Sequence, residues 1–131
     1  MGRKTVWRRG SAPTGSRPAR QLVTAASVAY VANCLWGTAV AVRLIRTKKL
    51  RVVHHGLFVV TATLTGVAAT TPAWTRDRTA LFLLPALVPL AVAPRTNPRS
   101  GAHCSGAHWR VAVAAAPSYL GAVLARRRSE R

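Results

Sequence analysis

Leu22–Val42 reads LVTAASVAYVANCLWGTAVAV, with no Asp, Glu, Lys or Arg in it. A surface helix of a water-soluble domain keeps a polar face. This run has none: its only polar groups are small hydroxyls, one amide, one thiol and the tips of Tyr30 and Trp36. With Gln21 the charge-free stretch is 22 residues long. About 20 helical residues at about 1.5 Å each cross a hydrocarbon layer of roughly 30 Å. The run is therefore read as a membrane-spanning helix.

Three further stretches lack charge: Val52–Thr75, Thr79–Pro94 and Val111–Ala125, of 24, 16 and 15 residues. The four stretches hold 77 of the 131 residues, and all 22 charged residues fall in the other 54. A soluble nucleic-acid binder interleaves its basic residues with apolar ones at helical or strand period. Segregation into blocks is what a bilayer selects, with apolar runs in hydrocarbon and arginines at headgroup level. The expectation is an all-α integral membrane protein, a bundle of four short transmembrane helices at about 21–42, 52–74, 79–94 and 109–125. A flexible basic tail, 1–20, precedes it, and a basic tail, 126–131, follows.

The third and fourth runs are short, reaching only roughly 22–24 Å as α-helix. Trp109 and a snorkelling Arg110 lengthen the fourth by a turn, and Arg78 and Arg95 flank the third. Pro85 and Pro89 allow the third to bend or re-enter, and Pro117 predicts a kink in the fourth. Pro72 ends the second helix, and Trp74 suits the interface.

The first twenty residues carry Arg3, Lys4, Arg8, Arg9, Arg17 and Arg20 without an acid, among prolines, glycines and serines. Such a stretch is not expected to fold alone. It suits a solvated tail drawn to anionic lipid headgroups. The same composition suits an organellar transit peptide, which makes an organellar inner membrane the alternative to a bacterial cytoplasmic membrane. A signal peptide cut after Ala41 fits less well, because the apolar run exceeds the usual 7–15 residues. Val6 stands where an N-myristoylation signal needs Ser or Thr.

Small residues recur every four positions. Ala25, Ala29, Asn33, Gly37 and Ala41 line one face of the first helix; Ala62, Gly66 and Thr70 line one face of the second; Ala114, Ser118 and Ala122 share a side of the fourth. Such faces let helices approach closely. Asn33 lies mid-run, so its amide is expected to bond to a neighbouring helix or a backbone carbonyl. Thr61 and Thr65 are expected to bond back to the carbonyl four residues earlier. Tyr30 and Trp36 sit too deep for an interfacial belt and should fill gaps between helices. With 24 alanines in the chain, coincidences at this spacing also arise from composition alone.

Site chemistry is sparse. His54 and His55 open the second helix, and His103, Cys104 and His108 lie in the third loop. Imidazoles of this kind can hold a transition metal or haem. His54 and His55 are the metal candidates on one side of the sequence, His103 and His108 on the other. Adjacent histidines on a helix point about 100° apart, so the first two cannot share one metal. Interfacial histidines among arginines are the plainer reading, and no cofactor is expected. Cys34 and Cys104 are expected as reduced thiols.

Asp77 and Glu130 are the only acids, so paired-carboxylate catalysis is excluded and no enzyme is expected. No carboxylate lies inside an apolar run, which argues against proton-coupled transport. Asp77, between Arg76 and Arg78, is expected to neutralise local charge. The functional expectation is a small non-enzymatic membrane protein that packs with a second copy or a larger membrane partner. Its partners would be the bilayer and anionic headgroups, with no specific nucleic acid. A haem- or metal-carrying redox subunit and a small channel or carrier are the alternatives. The profile of 17 arginines and 24 alanines is also that of GC-rich coding DNA. A spurious reading frame in such DNA would share it, although arginine blocks at the run boundaries are more orderly than such a frame needs.

Overall fold

The computed structural model describes residues 16–42, 44, 50–95 and 103–129, and for 16, 41, 50–51 and 103–108 the backbone alone. Among the described residues every regular element is helical and there is no strand. Helix α1 is Ser16–Ala41, α2 Leu50–Thr70, α3 Leu84–Val92, α4 His103–Ala114 and α5 Ala116–Ser129. Two spans, Arg17–Val40 and Val52–Ala73, are long and apolar enough to cross a membrane.

The boundaries depart from the charge-free runs. Helix α1 begins at Ser16, so Arg17 and Arg20 stand on helix rather than in a tail. Pro18 does not stop it, because in a first turn the missing N–H has no helical acceptor to lose. At the other end α5 continues through Arg126–Arg128 to Ser129. Cations there complement the partial negative charge of the last turn. The expected loop residues His103–His108 fall within α4. The rest of the N-terminal tail, 1–15, lies outside the described residues, as do 96–102.

The prolines account for the irregular turns. Helix α2 ends in a 3-10 turn, Thr71–Ala73, around Pro72, and the Trp74 N–H closes it on the Thr71 carbonyl at 3.2 Å. Before α3 lies a 3-10 segment, Thr79–Leu83, and after it another, Ala93–Arg95. Pro85 cannot donate to the Leu81 carbonyl, and the Leu84 N–H takes that carbonyl instead in 3-10 fashion. The third run thereby gains length. Over Thr79–Arg95 eight residues rise about 2.0 Å and nine about 1.5 Å, a contour of roughly 30 Å along the three pieces. The break between α4 and α5 falls at Ala115, two residues before Pro117, where the Ala115 N–H reaches Ala112 at 3.3 Å and the Ser118 N–H reaches Ala115 at 3.1 Å.

Helices α1 and α2 share the most extensive contact; α5 packs on α1 and on Thr79–Leu83, and α3 fits between α2, α4 and α5. The interior is built from small and hydroxyl-bearing residues. Seven of the eleven buried hydrophobic residues are alanines, and Thr61, Thr65 and Thr71 are buried with them. Large aliphatic side chains point the other way: Val52 is 76% exposed, Leu35 67%, Val88 67% and Leu120 60%. Exposed valines and leucines occur on all five helices. In water, Val and Leu belong to the residues most often buried.

Candidate functional site

Two places concentrate polar chemistry: a tyrosine pair in the bundle interior and a cluster of arginines at one end.

In the interior, Tyr30 of α1 and Tyr119 of α5 stack with ring centroids 4.1 Å apart and planes 11° from parallel. Each phenol meets a partner that the helices supply. The Thr65 hydroxyl donates to the Thr61 carbonyl at 2.7 Å, which commits its proton. The Tyr119 hydroxyl, 2.6 Å from Thr65 Oγ1, is then the donor in that contact. The Tyr30 hydroxyl donates to the Ala112 carbonyl at 2.7 Å, just before the break between α4 and α5. The same carbonyl also accepts from the Ala115 N–H at 3.3 Å, so the phenol adds a second bond to it at the break. Thr61 bonds back to Leu57 at 2.8 Å. The pair thus ties α1, α2, α4 and α5 together, and its hydroxyls are engaged in structural bonds.

At one end the start of α1, the link after α2 and the end of α5 converge. Arg20 Nε lies 3.7 Å from Asp77 Oδ2, with the Asp77 side chain only 10% exposed. The other oxygen, Oδ1, accepts from the Thr79 N–H at 3.0 Å and from the Thr79 hydroxyl at 2.6 Å. Asp77 therefore holds the link in an Asx turn while facing α1. Its ion-pair partner is Arg20, not the flanking Arg76 or Arg78 expected from sequence. From α5, Arg126 Nη1 donates to the Thr24 hydroxyl and, at 3.5 Å, to the Arg20 carbonyl.

Beneath these arginines two open grooves run along α1. One has Ala25, Ala29, Leu57 and Val60 on its walls, with Arg17 and Arg20 at its mouth. The other has Val31, Leu35 and Val123 on its walls, with Arg127 at its mouth. Thr24, Val28 and Arg126 belong to both, so the grooves flank one ridge of α1.

Most of the small-residue positions read from sequence lie beside the most buried ones, with Ala122 and Gly37 the exceptions. On α1 the buried positions are Val23, Ala26 and Tyr30, with Cys34 packed against them. Ala25 is exposed, and Ala29, Asn33 and Gly37 are half-buried. Of these, Gly37 does meet α2: a Cβ there would lie 3.7 Å from His54 Cε1. On α2 the buried positions are Thr61, Thr65 and Ala68, while Ala62 and Gly66 are half-buried. A Cβ on Gly66 would meet nothing within 4 Å. On α5 Tyr119 and Ala122 are buried and Ser118 is half-buried. Both tyrosines lie on the packed faces, where each buried phenol finds a hydrogen-bond acceptor.

Asn33 corrects the sequence expectation. Its Oδ1 is buried yet has no hydrogen-bond partner among the described residues, and Trp36 Nε1 is in the same position. His54 is half-buried and His55 exposed. His103 and His108 stand on α4, but their side chains lie outside the described residues, as does Cys104. Among the described residues no group of three or more His, Cys, Asp or Glu is placed to hold a metal ion.

No protein-family model, curated protein or solved structure matches the chain.

Proposed function

We propose that this chain is a multi-pass integral membrane protein, non-enzymatic, that works by packing with a second copy or a larger membrane partner. The observation that supports it is the sorting of side chains: alanines, three threonines and two tyrosines make up most of the interior beside Val23 and Leu83, and most valines and leucines lie outside. In water that exterior would leave large hydrophobic side chains exposed on every helix, more than a soluble monomer commonly carries. In a bilayer the same exterior is solvated by lipid, and small interior residues give close helix contact. The self-bonded hydroxyls fit the same reading, since Thr24, Ser27, Thr38, Thr61 and Thr65 each donate to the carbonyl four residues earlier. The setting proposed is a bacterial cytoplasmic membrane.

Alkaline extraction tests the reading. Membranes from cells producing the full chain with a C-terminal tag are washed at high pH. Retention in the pellet is the expected result. Release of full-length protein into the supernatant would overturn the membrane assignment.

A further inference from the structure

We propose that the two grooves flanking α1 form a binding site for one diacyl phospholipid with an anionic headgroup. This inference rests on the membrane reading above. The mouth is cationic: Arg17, Arg20, Arg126 and Arg127 gather there against Asp77, the one acid among the described residues. Guanidinium groups recognise phosphate through paired N–H donors. Below the mouth both grooves turn apolar, lined by Ala25, Leu57 and Val60 on one side and Val31, Leu35 and Val123 on the other. The Thr24–Val28 ridge separates them, so one headgroup at the arginines can send one acyl chain down each side. The depth agrees. From Thr24 to Leu35 is 11 residues, about 16 Å of helix, against about 15 Å for one leaflet of the hydrocarbon core. Arg126 is held over this ridge by its contact with Thr24, which places a cation where the two chains would join. A soluble anion would use the arginines but not the grooves; the arrangement as a whole fits a lipid.

The test is native mass spectrometry of the full chain, purified in mild detergent and mixed with equimolar phosphatidylglycerol and phosphatidylcholine of identical acyl chains. One phosphatidylglycerol per chain should be retained in preference. The double variant Arg17→Ala/Arg126→Ala should lower that preference by about fivefold for each arginine removed. Val28→Trp sets an indole on the ridge shared by the two grooves without changing charge and should weaken retention. Arg76→Ala, an exposed arginine on the link beside Asp77, should leave it intact. Far-UV circular dichroism checks that each variant keeps its helicity, and Arg17→Ala alone serves if the double variant does not fold. Equal retention of both lipids would overturn the proposal. So would an Arg76→Ala loss as large as the double variant's, or undiminished retention by Val28→Trp. Displacement by millimolar glycerol phosphate would reassign the site to a soluble anion. Alkaline extraction of the same cells separates the two failures. A chain retained in the pellet without lipid preference sinks this site alone, and a chain released to the supernatant sinks the membrane reading with it.

Discussion

The hydroxyl of Tyr119 and its ring do different work, and substitutions can separate them. The hydroxyl makes one hydrogen bond, to Thr65, which keeps its own bond to Thr61 when the phenol is removed. Tyr119→Phe should therefore cost about 0.6–1.7 kcal/mol, the range for side-chain hydrogen bonds between membrane helices. The ring stacks on Tyr30 and is buried against α1 and α2. Tyr119→Ala should cost about 3–5 kcal/mol through the cavity it leaves. Equilibrium unfolding in mixed micelles measures both, and equal losses would show that the ring contributes little. Asp77 allows a similar division. Asp77→Asn keeps an oxygen for the Thr79 N–H but loses the charge facing Arg20, whereas Asp77→Ala loses both. The alanine variant should be the less stable by about 1–2 kcal/mol in the same assay.

Among the elements, the two helix glycines that seem alike in sequence are not equivalent. Gly37 on α1 faces His54 of α2, and a leucine there must displace the imidazole. Gly37→Leu should lower the stability of the fold by about 1–3 kcal/mol, the usual cost of overpacking. Gly66 on α2 has open space around it, so Gly66→Leu should leave the fold within about 0.5 kcal/mol. If the outer face of α2 is where a second copy packs, Gly66→Leu will change the size of the detergent-extracted particle while its unfolding curve stays put. An unchanged size would remove that face from the interface. The helices themselves were legible in the sequence because length and absence of charge are properties of a run. The Pro117 kink was legible too, since a missing N–H acts locally. The packed faces were not. Small-residue spacing marks several faces of an alanine-rich helix equally, and the packed ones carry Tyr30 and Tyr119, which pair across 89 positions. The start of α1 was hidden for another reason: Arg17 and Arg20, among Pro, Gly and Ser, read as tail, yet both stand on the helix.

For the whole molecule, the packing bears on orientation. Arg20, Asp77 and Arg126 meet at one end, which puts the start of α1, the link 71–78 and the end of α5 together. An even number of crossings is the arrangement that keeps these three segments on one side of a bilayer. The sequence assigns 12 Lys and Arg to the N-terminal stretch, this link and the C-terminal stretch, and 8 to the two connections opposite. Basic residues in short segments near helix ends favour the cytoplasmic side. The convergence seen in the fold is thus also the more basic end, and the two observations are independent: one is a matter of side-chain contacts, the other of composition. The expected topology has the arginine end of the bundle, with the start of α1 and the end of α5, cytoplasmic. Single cysteines introduced by Arg76→Cys or Ser129→Cys, in a background carrying Cys34→Ala and Cys104→Ser, should resist a membrane-impermeant maleimide in intact cells and react after permeabilisation. Leu44→Cys, at the end of α1, should react in intact cells. Opposite labelling of Arg76→Cys and Ser129→Cys would mean that the link and the end of α5 lie on different sides, and the bundle as folded could not sit in a bilayer with four crossings. Labelling of both from outside would keep the four crossings and invert them. In that case the excess of 12 over 8 would be too small to direct insertion, and the arginine cluster would face the outer leaflet.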